Sequence, residues 1–199
     1  MPFIDLLVGL INTNLQQKTL TDKRFAKGDY NGIAMNVYRD RPGGQQGKQS
    51  LPCIYLEGQD AKYVGVDDSF PIIIYHKLLR NTTQPAKTQF GDGNKTIKAT
   101  TLLNMLVYAD RARIRLSPED LEALVLSGLV DEVPKADYPA NGFSTIVVYH
   151  METNFNAQGI FAQEYQNVDF FLKPESILFQ ITYRIESQYR KDCLAICGC

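Results

Sequence analysis

Cysteines are the first candidates for chemistry in this sequence, because three of them, Cys193, Cys197 and Cys199, crowd its last seven residues. Thiolates gathered this closely can bind zinc with a fourth ligand from elsewhere in the chain. Structural zinc sites usually show two well-separated pairs of cysteines, whereas this sequence has one irregular cluster. We therefore expect free thiols here, and the sequence predicts no metal and no other cofactor.

A cysteine and a histidine could also act together in catalysis. The two histidines, His76 and His150, each follow a tyrosine at the edge of an apolar stretch. A cysteine hydrolase needs a thiol, an imidazole and an orienting Asn or Asp brought together, and Cys53 with His150 is the pair to test. Any chain with these residue types meets that requirement, so we expect the histidines to be surface or capping groups. The protein is predicted not to be an enzyme, with a small cytosolic hydrolase as the alternative.

Pairs of acidic residues could hold a divalent metal or divide into acid and base roles. The pairs are Asp67-Asp68, Glu119-Asp120 and Asp131-Glu132. Adjacent carboxylates on one strand point to opposite faces, which argues against a joint site from any single pair. The second pair is already explained by its place at the start of a helix. We keep a carboxylate site only as a variant of the hydrolase alternative.

Arginines alternate with apolar residues at Arg111, Arg113 and Arg115. In an extended segment this spacing would place three guanidinium groups on one side, where they could bind phosphates or the carboxylates of a neighbouring subunit. The other interpretation is a solvated strand face. Aromatic residues do not interleave with these arginines, so binding of single-stranded nucleic acid gains little support.

The overall composition is typical of a soluble globular protein. The 199 residues fit a single domain, and 44% hydrophobic with 22% charged residues is ordinary for that class. A formal net charge of -1 gives no reason to expect nucleic acid or an anionic membrane as the partner. No stretch approaches the ~20 apolar residues of a membrane-spanning helix, and the opening segment lacks the positive region of a signal peptide. Cysteines without such a signal predict a reducing compartment.

Both helices and strands are predicted. Apolar residues at helical spacing in 3–15 predict an amphipathic helix that ends near Lys18. The alternation of apolar and polar residues over 177–186 predicts a long antiparallel strand. Ser117-Pro118, followed by two acidic residues, predicts a helix start, and Gly128 is the expected stop.

Further strands have weaker signals and are separated by polar segments. Strand composition is found at 33–38, 51–56, 70–75, 96–108, 145–149 and 159–165. Polar segments rich in glycine and proline predict projecting loops near 39–50 and 80–95, and an insertion or connector near 134–166. The predicted fold is therefore α+β, in one domain over 1–199: a mostly antiparallel sheet flanked by two or three helices, with long loop excursions.

This order of elements resembles the tail-terminator and neck-ring proteins of tailed bacteriophages, the head–tail connectors, with a crAss-like phage as the expected source. The resemblance covers most of the chain. It is carried by the N-terminal helix and by the strings Tyr75-His76-Lys77-Leu78-Leu79, Phe90-Gly91-Asp92-Gly93, Leu106-Val107-Tyr108-Ala109-Asp110, Ser117-Pro118-Glu119-Asp120-Leu121 and Phe179-Gln180-Ile181-Thr182-Tyr183-Arg184-Ile185.

The resemblance implies a structural virion protein, assembled in the cytoplasm of a host bacterium. Its protomers would close into a ring of six or twelve copies at the head–tail junction or tail end. DNA would pass through the channel without specific binding, and the other partners would be phage neck, portal or tail proteins, with no membrane. Ring contacts join two different surfaces of each copy. The expected interface residues are Arg39, Arg41, Arg80, Phe90, Asp92, Arg111, Arg113 and Arg115.

Overall fold

The structure is a computed structural model that describes residues 2–20, 24–25, 27–41, 46–54, 61–65, 69–85, 96–130, 143–155, 157–166 and 175–190. It confirms an α+β fold with helices and mostly antiparallel sheets. In chain order the elements are α1 (Pro2–Leu20), β1 (Asp29–Ile33), β2 (Met35–Asp40), β3 (Lys48–Ile54), β4 (Lys62–Tyr63), β5 (Ile72–Pro85), β6 (Thr96–Asp110), α2 (Arg111–Ile114), α3 (Pro118–Val130), β7 (Phe143–Asn154), α4 (Ala157–Glu164) and β8 (Ser176–Arg190).

The strands form two sheets. The main sheet has five strands in the order β1-β5-β6-β8-β7, and the small sheet has three in the order β2-β3-β4. Only the β1–β5 pair is parallel, and every other pair of described strands is antiparallel. β5, β6 and β8 are the three inner strands of the main sheet, so they carry most of its core.

The predicted final strand is confirmed as β8, and its alternation divides the main sheet into two faces. Ile177, Phe179, Ile181, Tyr183 and Ile185 are all at most 4% exposed and pack in one cluster with the apolar residues of α1 and α3. Burial of each such side chain contributes about 1.5–3 kcal/mol before the cost of ordering the chain. The helices therefore cover one face of the main sheet.

The opposite face of the main sheet packs against the small sheet and α4. Tyr75 and Tyr108 of the main sheet share a cluster with Leu51 of β3 and with Phe161 of α4. The small sheet thus forms a third layer over part of that face. None of the described helices is long and apolar enough to cross a membrane.

The predicted loop at 39–50 is partly wrong, because β2 and β3 extend into it from its two ends. β2 and β3 form an antiparallel hairpin there, with Arg39 opposite Gln49 and Asp40 opposite Lys48. Residues 42–45 lie outside the described part of the chain. Polar side chains suggested a loop, but an antiparallel sheet tolerates them on a face that meets water.

The predicted loop at 80–95 is also partly wrong. Residues 80–85 continue β5 and pair with β6, for example Thr82 with Thr100. The threonines of this segment suit an exposed strand because β-branched residues favour extended backbone. Residues 86–95 lie outside the described part of the chain.

The segment expected to be an insertion or connector at 134–166 contains a strand of the main sheet. β7 pairs with β8 from Phe143 to Asn154, which confirms the strand predicted at 145–149 and extends it. The strand predicted at 159–165 is wrong, because helix α4 occupies this segment up to Glu164. Phe161 and Tyr165, four residues apart, are both buried, so the apolar residues follow a helical period. The segment is too short for that period to be recognised from the sequence.

The predicted start of α3 is confirmed. The Ser117 side-chain oxygen accepts a hydrogen bond from the backbone N–H of Asp120 at 3.0 Å, and its hydroxyl donates to the Asp120 carboxylate at 2.8 Å. The predicted stop is wrong, because α3 continues through Gly128 to Val130. A Cβ at Gly128 would lie 2.8 Å from Leu15 Cδ2 and 3.3 Å from Leu15 Cα. Gly128 therefore permits the close approach of α3 to α1.

We expect Gly128→Ala to lower the free energy of unfolding by about 1–3 kcal/mol, because the new methyl group overpacks this helix contact. Gly9→Ala is the matched control, since Gly9 also lies inside a helix but has nothing within 4 Å of a Cβ. That variant should gain about 0.5–1 kcal/mol from helix propensity. Urea unfolding measures both, and a stabilised Gly128→Ala variant would contradict the close packing.

Candidate functional site

The described members of the predicted interface set lie on different elements of the protein. Arg39 lies over the ring of Tyr63 in the small sheet, with its guanidinium carbon 4.5 Å from the ring centroid. The backbone N–H of Arg41 donates to the carbonyl of Gly47 at 3.3 Å and closes the β2–β3 hairpin. Arg80 is exposed on the main sheet, opposite Leu102 of β6. Phe90 and Asp92 lie outside the described residues.

The three alternating arginines do not lie on one side of an extended strand, so that prediction is wrong. Arg111–Ile114 form the one-turn helix α2, which begins where the Asp110 carboxylate accepts a hydrogen bond from the N–H of Ala112 at 3.0 Å. The turn ends at Arg115, which has a left-handed backbone with φ of 55°. Ile114, fully buried, anchors the turn to the core.

Arg111 and Arg115 face a shared cavity, whereas Arg113 points elsewhere. That cavity has a volume of about 500 Å³ and is lined by Arg111, Ala112, Arg115, Leu116, Ser117 and Glu175. A neighbouring cavity of about 210 Å³ shares Arg111 and Glu175, and its other lining residues are Pro118, Phe155, Ser176, Ile177 and Leu178. We call the two cavities together the α2 groove. Arg113 instead donates to the carbonyl of Ser69 at 3.3 Å.

The charged groups of the α2 groove are not paired with one another. Among the described residues, Arg111 and Arg115 form no ion pair with a carboxylate, and Glu175 forms none with a basic side chain. Of the described residues that line the groove, two carry a guanidinium group and one a carboxylate, which is a positive balance. Such a groove can bind an anion through fork-like N–H donors.

The outer strand β7 presents an apolar surface that the sequence analysis did not identify. Val147, Tyr149 and Met151 are 38%, 38% and 51% exposed, and no described strand pairs with the outer edge of β7. A bulge at Met151 interrupts the register with β8. The sequence did contain a signal for this surface, the unbroken apolar run at 146–149. Such a run places apolar side chains on both faces of a strand.

A second apolar surface lies on the small sheet. Met35 and Tyr63 are 58% and 40% exposed, and they share one face because both lie opposite Cys53 in the strand register. Tyr38 is 63% exposed but lies on the other face of β2. We call Met35 and Tyr63 the small-sheet patch, and Val147, Tyr149 and Met151 the β7 patch. Exposed apolar side chains gathered on one strand or sheet are typical of protein–protein contacts.

Lys77 joins the two sheets and α4 through polar contacts. Its ammonium group pairs with the carboxylate of Glu164, and it donates to the side-chain oxygen of Asn36 at 2.8 Å. Asn36 in turn donates to the Ser50 hydroxyl at 3.2 Å and to the Glu164 carbonyl at 3.3 Å. These contacts hold the small sheet and α4 in place over the main sheet.

His76 is fully buried, which corrects the expectation of a surface or capping histidine. Its Nε2 lies 2.9 Å from the side-chain oxygen of Asn12, and its Nδ1 lies 2.8 Å from the hydroxyl of Tyr183. The Asn12 amide nitrogen donates to the carbonyl of Asn31 at 2.8 Å, so its oxygen faces the histidine. That oxygen can only accept. Nε2 therefore carries the proton, and Nδ1 accepts from Tyr183.

Neither histidine forms a described contact with the thiol of Cys53. Cys53 is 1% exposed, and burial raises the pKa of its thiol, which disfavours the thiolate needed for attack. His150 is exposed, with Nε2 3.0 Å from the hydroxyl oxygen of Thr153. The cysteine cluster of the last seven residues lies outside the described part of the chain. Within that part, no three His, Cys, Asp or Glu side chains gather as a metal site requires.

The stability of the protein should fall in mild acid because of His76. Burial lowers the pKa of its imidazole to about 3 from the ordinary 6.5. Above about pH 6.5 the ring is neutral in both folded and unfolded chains. Below that pH the imidazole binds a proton in the unfolded chain, whereas in the folded chain it stays neutral down to about pH 3. The free energy of unfolding therefore falls between about pH 6.5 and 3. We expect a loss of about 2 kcal/mol between pH 6.5 and 5 from this group.

Urea unfolding at several pH values measures this loss in the wild type and in His76→Gln, which should lack it. His150→Gln is the control and should keep the wild-type slope. If His76→Gln does not fold, NMR of the wild-type protein gives the answer, because the ring signals of His76 should not titrate between pH 8 and 5. A His76 ring that titrates near pH 6.5 in the folded protein would refute the assignment.

Lys77→Met should lower the free energy of unfolding by about 1–3 kcal/mol, because it leaves the largely buried Glu164 carboxylate without its cation. Lys98→Met is the matched control, since Lys98 pairs with Glu186 at 3.4 Å on the exposed part of the main sheet. The control should change stability by less than about 1 kcal/mol. Equal effects of the two substitutions in urea unfolding would show that Lys77 does not secure the sheet junction.

Comparison of the sequence with known protein-family models gave no match, and neither did comparison with curated proteins. The function of the chain is therefore inferred from its own residues and their geometry. The described residues offer two exposed apolar patches on different sheets and one cationic groove, which are features of a binding surface.

Proposed function

We propose that this protein is a structural subunit that assembles with copies of itself into a ring. The observation that carries the proposal is the β7 patch on the outer strand of the main sheet. A strand edge without a strand partner offers backbone donors and acceptors to another chain. Apolar side chains beside such an edge add the burial that makes the contact stable.

A ring needs two different surfaces on each copy, and the two patches meet that condition. β7 is the last strand of the main sheet in one direction and β1 is the last in the other. β2, which carries Met35 of the small-sheet patch, begins two residues after β1 ends. Four spacings between neighbouring strands separate β1 from β7, a distance of about 19 Å. Patches on opposite sides of a subunit suit head-to-tail contacts, which close into a ring.

The phage setting of the proposal comes from the resemblance to tail-terminator and neck-ring proteins. In that setting the ring surrounds the DNA channel at the head–tail junction or tail end of a virion. Its other partners are neck, portal or tail proteins. A formal net charge of -1 is compatible with a channel that lets DNA pass without holding it.

Assembly through the β7 patch can be tested with the double substitution Val147→Lys and Met151→Lys. Two lysines on this strand should block close approach of a second copy, because like charges on an edge oppose strand addition. We expect the wild type to form large species with a central hole and the double variant to remain a monomer. Light scattering across concentration measures mass, and negative-stain imaging shows the shape.

Leu79→Lys is the control for this experiment. Leu79 is 52% exposed and sits at a bulge of β5, much as Met151 sits at a bulge of β7. The Leu79 variant should assemble like the wild type. A wild type that stays monomeric at all concentrations would sink the proposal, and so would a double variant that still forms rings. A species of two copies would indicate symmetric β7–β7 pairing and exclude the ring.

A further inference from the structure

The α2 groove has a cationic half and an apolar half. Arg111 and Arg115 line the first cavity, and Phe155, Ile177 and Leu178 line the second. From this arrangement we propose that the groove binds a carboxylate ligand with an apolar body. The carboxylate lies between the two arginines and the apolar body lies against Phe155.

The arginines are available for a ligand, in contrast to their neighbours. Arg113 donates to the Ser69 carbonyl at 3.3 Å, and Arg24 donates to the Ile114 carbonyl at 2.8 Å. Arg111 and Arg115 form no ion pair with a carboxylate among the described residues. A planar carboxylate matches the fork of N–H donors on a guanidinium group.

The backbone that carries these arginines is held in place before any ligand binds. The Asp110 carboxylate caps α2, and the N–H of Arg115 donates to the carbonyl of Arg111 at 2.8 Å. A left-handed backbone at a residue other than glycine is uncommon and persists only where its surroundings impose it. Ile114 supplies that constraint, because it directly precedes Arg115 and its side chain is buried in the core. A backbone ordered in advance reduces the entropy lost on binding.

The apolar half explains why an organic carboxylate fits better than an inorganic anion. Phe155 is 44% exposed and contacts the buried ring of Phe179, with 5.7 Å between the ring centroids. An inorganic phosphate would leave this surface in water, whereas an aromatic body would cover it. The first cavity, of about 500 Å³, is of the size typical of small-ligand sites, and the second adds about 210 Å³ beside it.

Glu175 limits the affinity of the groove. Of the described residues that line it, Glu175 alone carries a carboxylate, and it borders both cavities. Its charge opposes that of the ligand. Glu175→Gln should therefore tighten the binding of a carboxylate, an effect that an uncharged ligand would not show.

Ligand-observed ¹⁹F NMR with 4-fluorophenylacetate tests the proposal and works for a monomer or a large assembly. Wild-type protein should bind this probe, and 4-fluorobenzyl alcohol and acetate should each bind at least tenfold more weakly. Arg111→Gln should weaken binding of the probe roughly tenfold or more, because it removes charge-assisted hydrogen bonds. Arg113→Gln is the matched control on the same turn and should leave the affinity within about twofold of the wild type.

The outcomes separate the proposal from its competitors. Equal binding of the neutral alcohol, or equal loss in the Arg111 and Arg113 variants, would overturn it. If Arg111→Gln does not fold, Arg115→Gln replaces it with the same expected loss. The groove does not depend on the ring proposal, so the double lysine variant of β7 should bind the probe like the wild type.

The same chemistry could come from a small molecule or from the carboxyl end of a protein chain. N-acetyl-Ala-Ala-Phe and its C-terminal amide, compared with 4-fluorophenylacetate by competition, distinguish the two sources. Tighter binding of the free-acid peptide identifies a chain end, and tighter binding of the small probe identifies a small molecule. A peptide amide that competes as well as the free acid would contradict the role of the arginines.

Discussion

The hydrogen-bond chain through His76 is the interaction on which the rest of the fold depends. It connects Asn31 of β1, Asn12 of α1, His76 of β5 and Tyr183 of β8. These positions are far apart in sequence, and each polar group would be left unsatisfied in the core if one member were missing. An unsatisfied buried donor or acceptor costs about 1–3 kcal/mol. This hydrogen-bond network therefore fixes one placement of α1 against the main sheet.

β5 is the strand where the layers of the protein meet. His76 and Lys77 are neighbours in sequence, and neighbouring side chains of a strand point to opposite faces. His76 faces α1, and Lys77 faces Asn36 of the small sheet and Glu164 of α4. Two polar contacts on opposite sides of one strand thus fix both outer layers. The position of the small-sheet patch relative to β7 follows from this arrangement.

The surfaces that suggest function lie at the borders of the main sheet, on its outer strand and at the end of an inner strand. β7 closes the main sheet and leaves apolar side chains exposed, and the α2 groove lies where β6 ends at Asp110. Both are held by rigid elements, because β7 pairs along β8 and α2 follows β6 directly. Rigid placement favours binding, since little motion is lost when a partner docks. An assembling subunit and a ligand groove are compatible roles for one such scaffold.

Sequence patterns gave correct predictions where one local rule decides the structure. The alternation of β8, the helical spacing of α1 and the Ser117-Pro118 start of α3 each reflect a rule that operates within a few residues. The sequence patterns gave wrong predictions where a contact with a residue elsewhere in the chain determines the local structure. Gly128 does not end α3, because the glycine serves contact with Leu15. Phe161 lies in helix α4, and Tyr165 follows directly after that helix, because both are buried against other elements.

The candidate site divides in the same way. The sequence by itself determined the α+β class, the helix start and the arginine cluster as a place of interest. Only the tertiary structure decided that Arg111 and Arg115 share a cavity while Arg113 does not, because the Asp110 cap and the burial of Ile114 turn an apparent strand into α2. It likewise decided that His76 is buried and that β7 is an outer strand. These features depend on contacts between residues distant in sequence, which local periodicity does not encode.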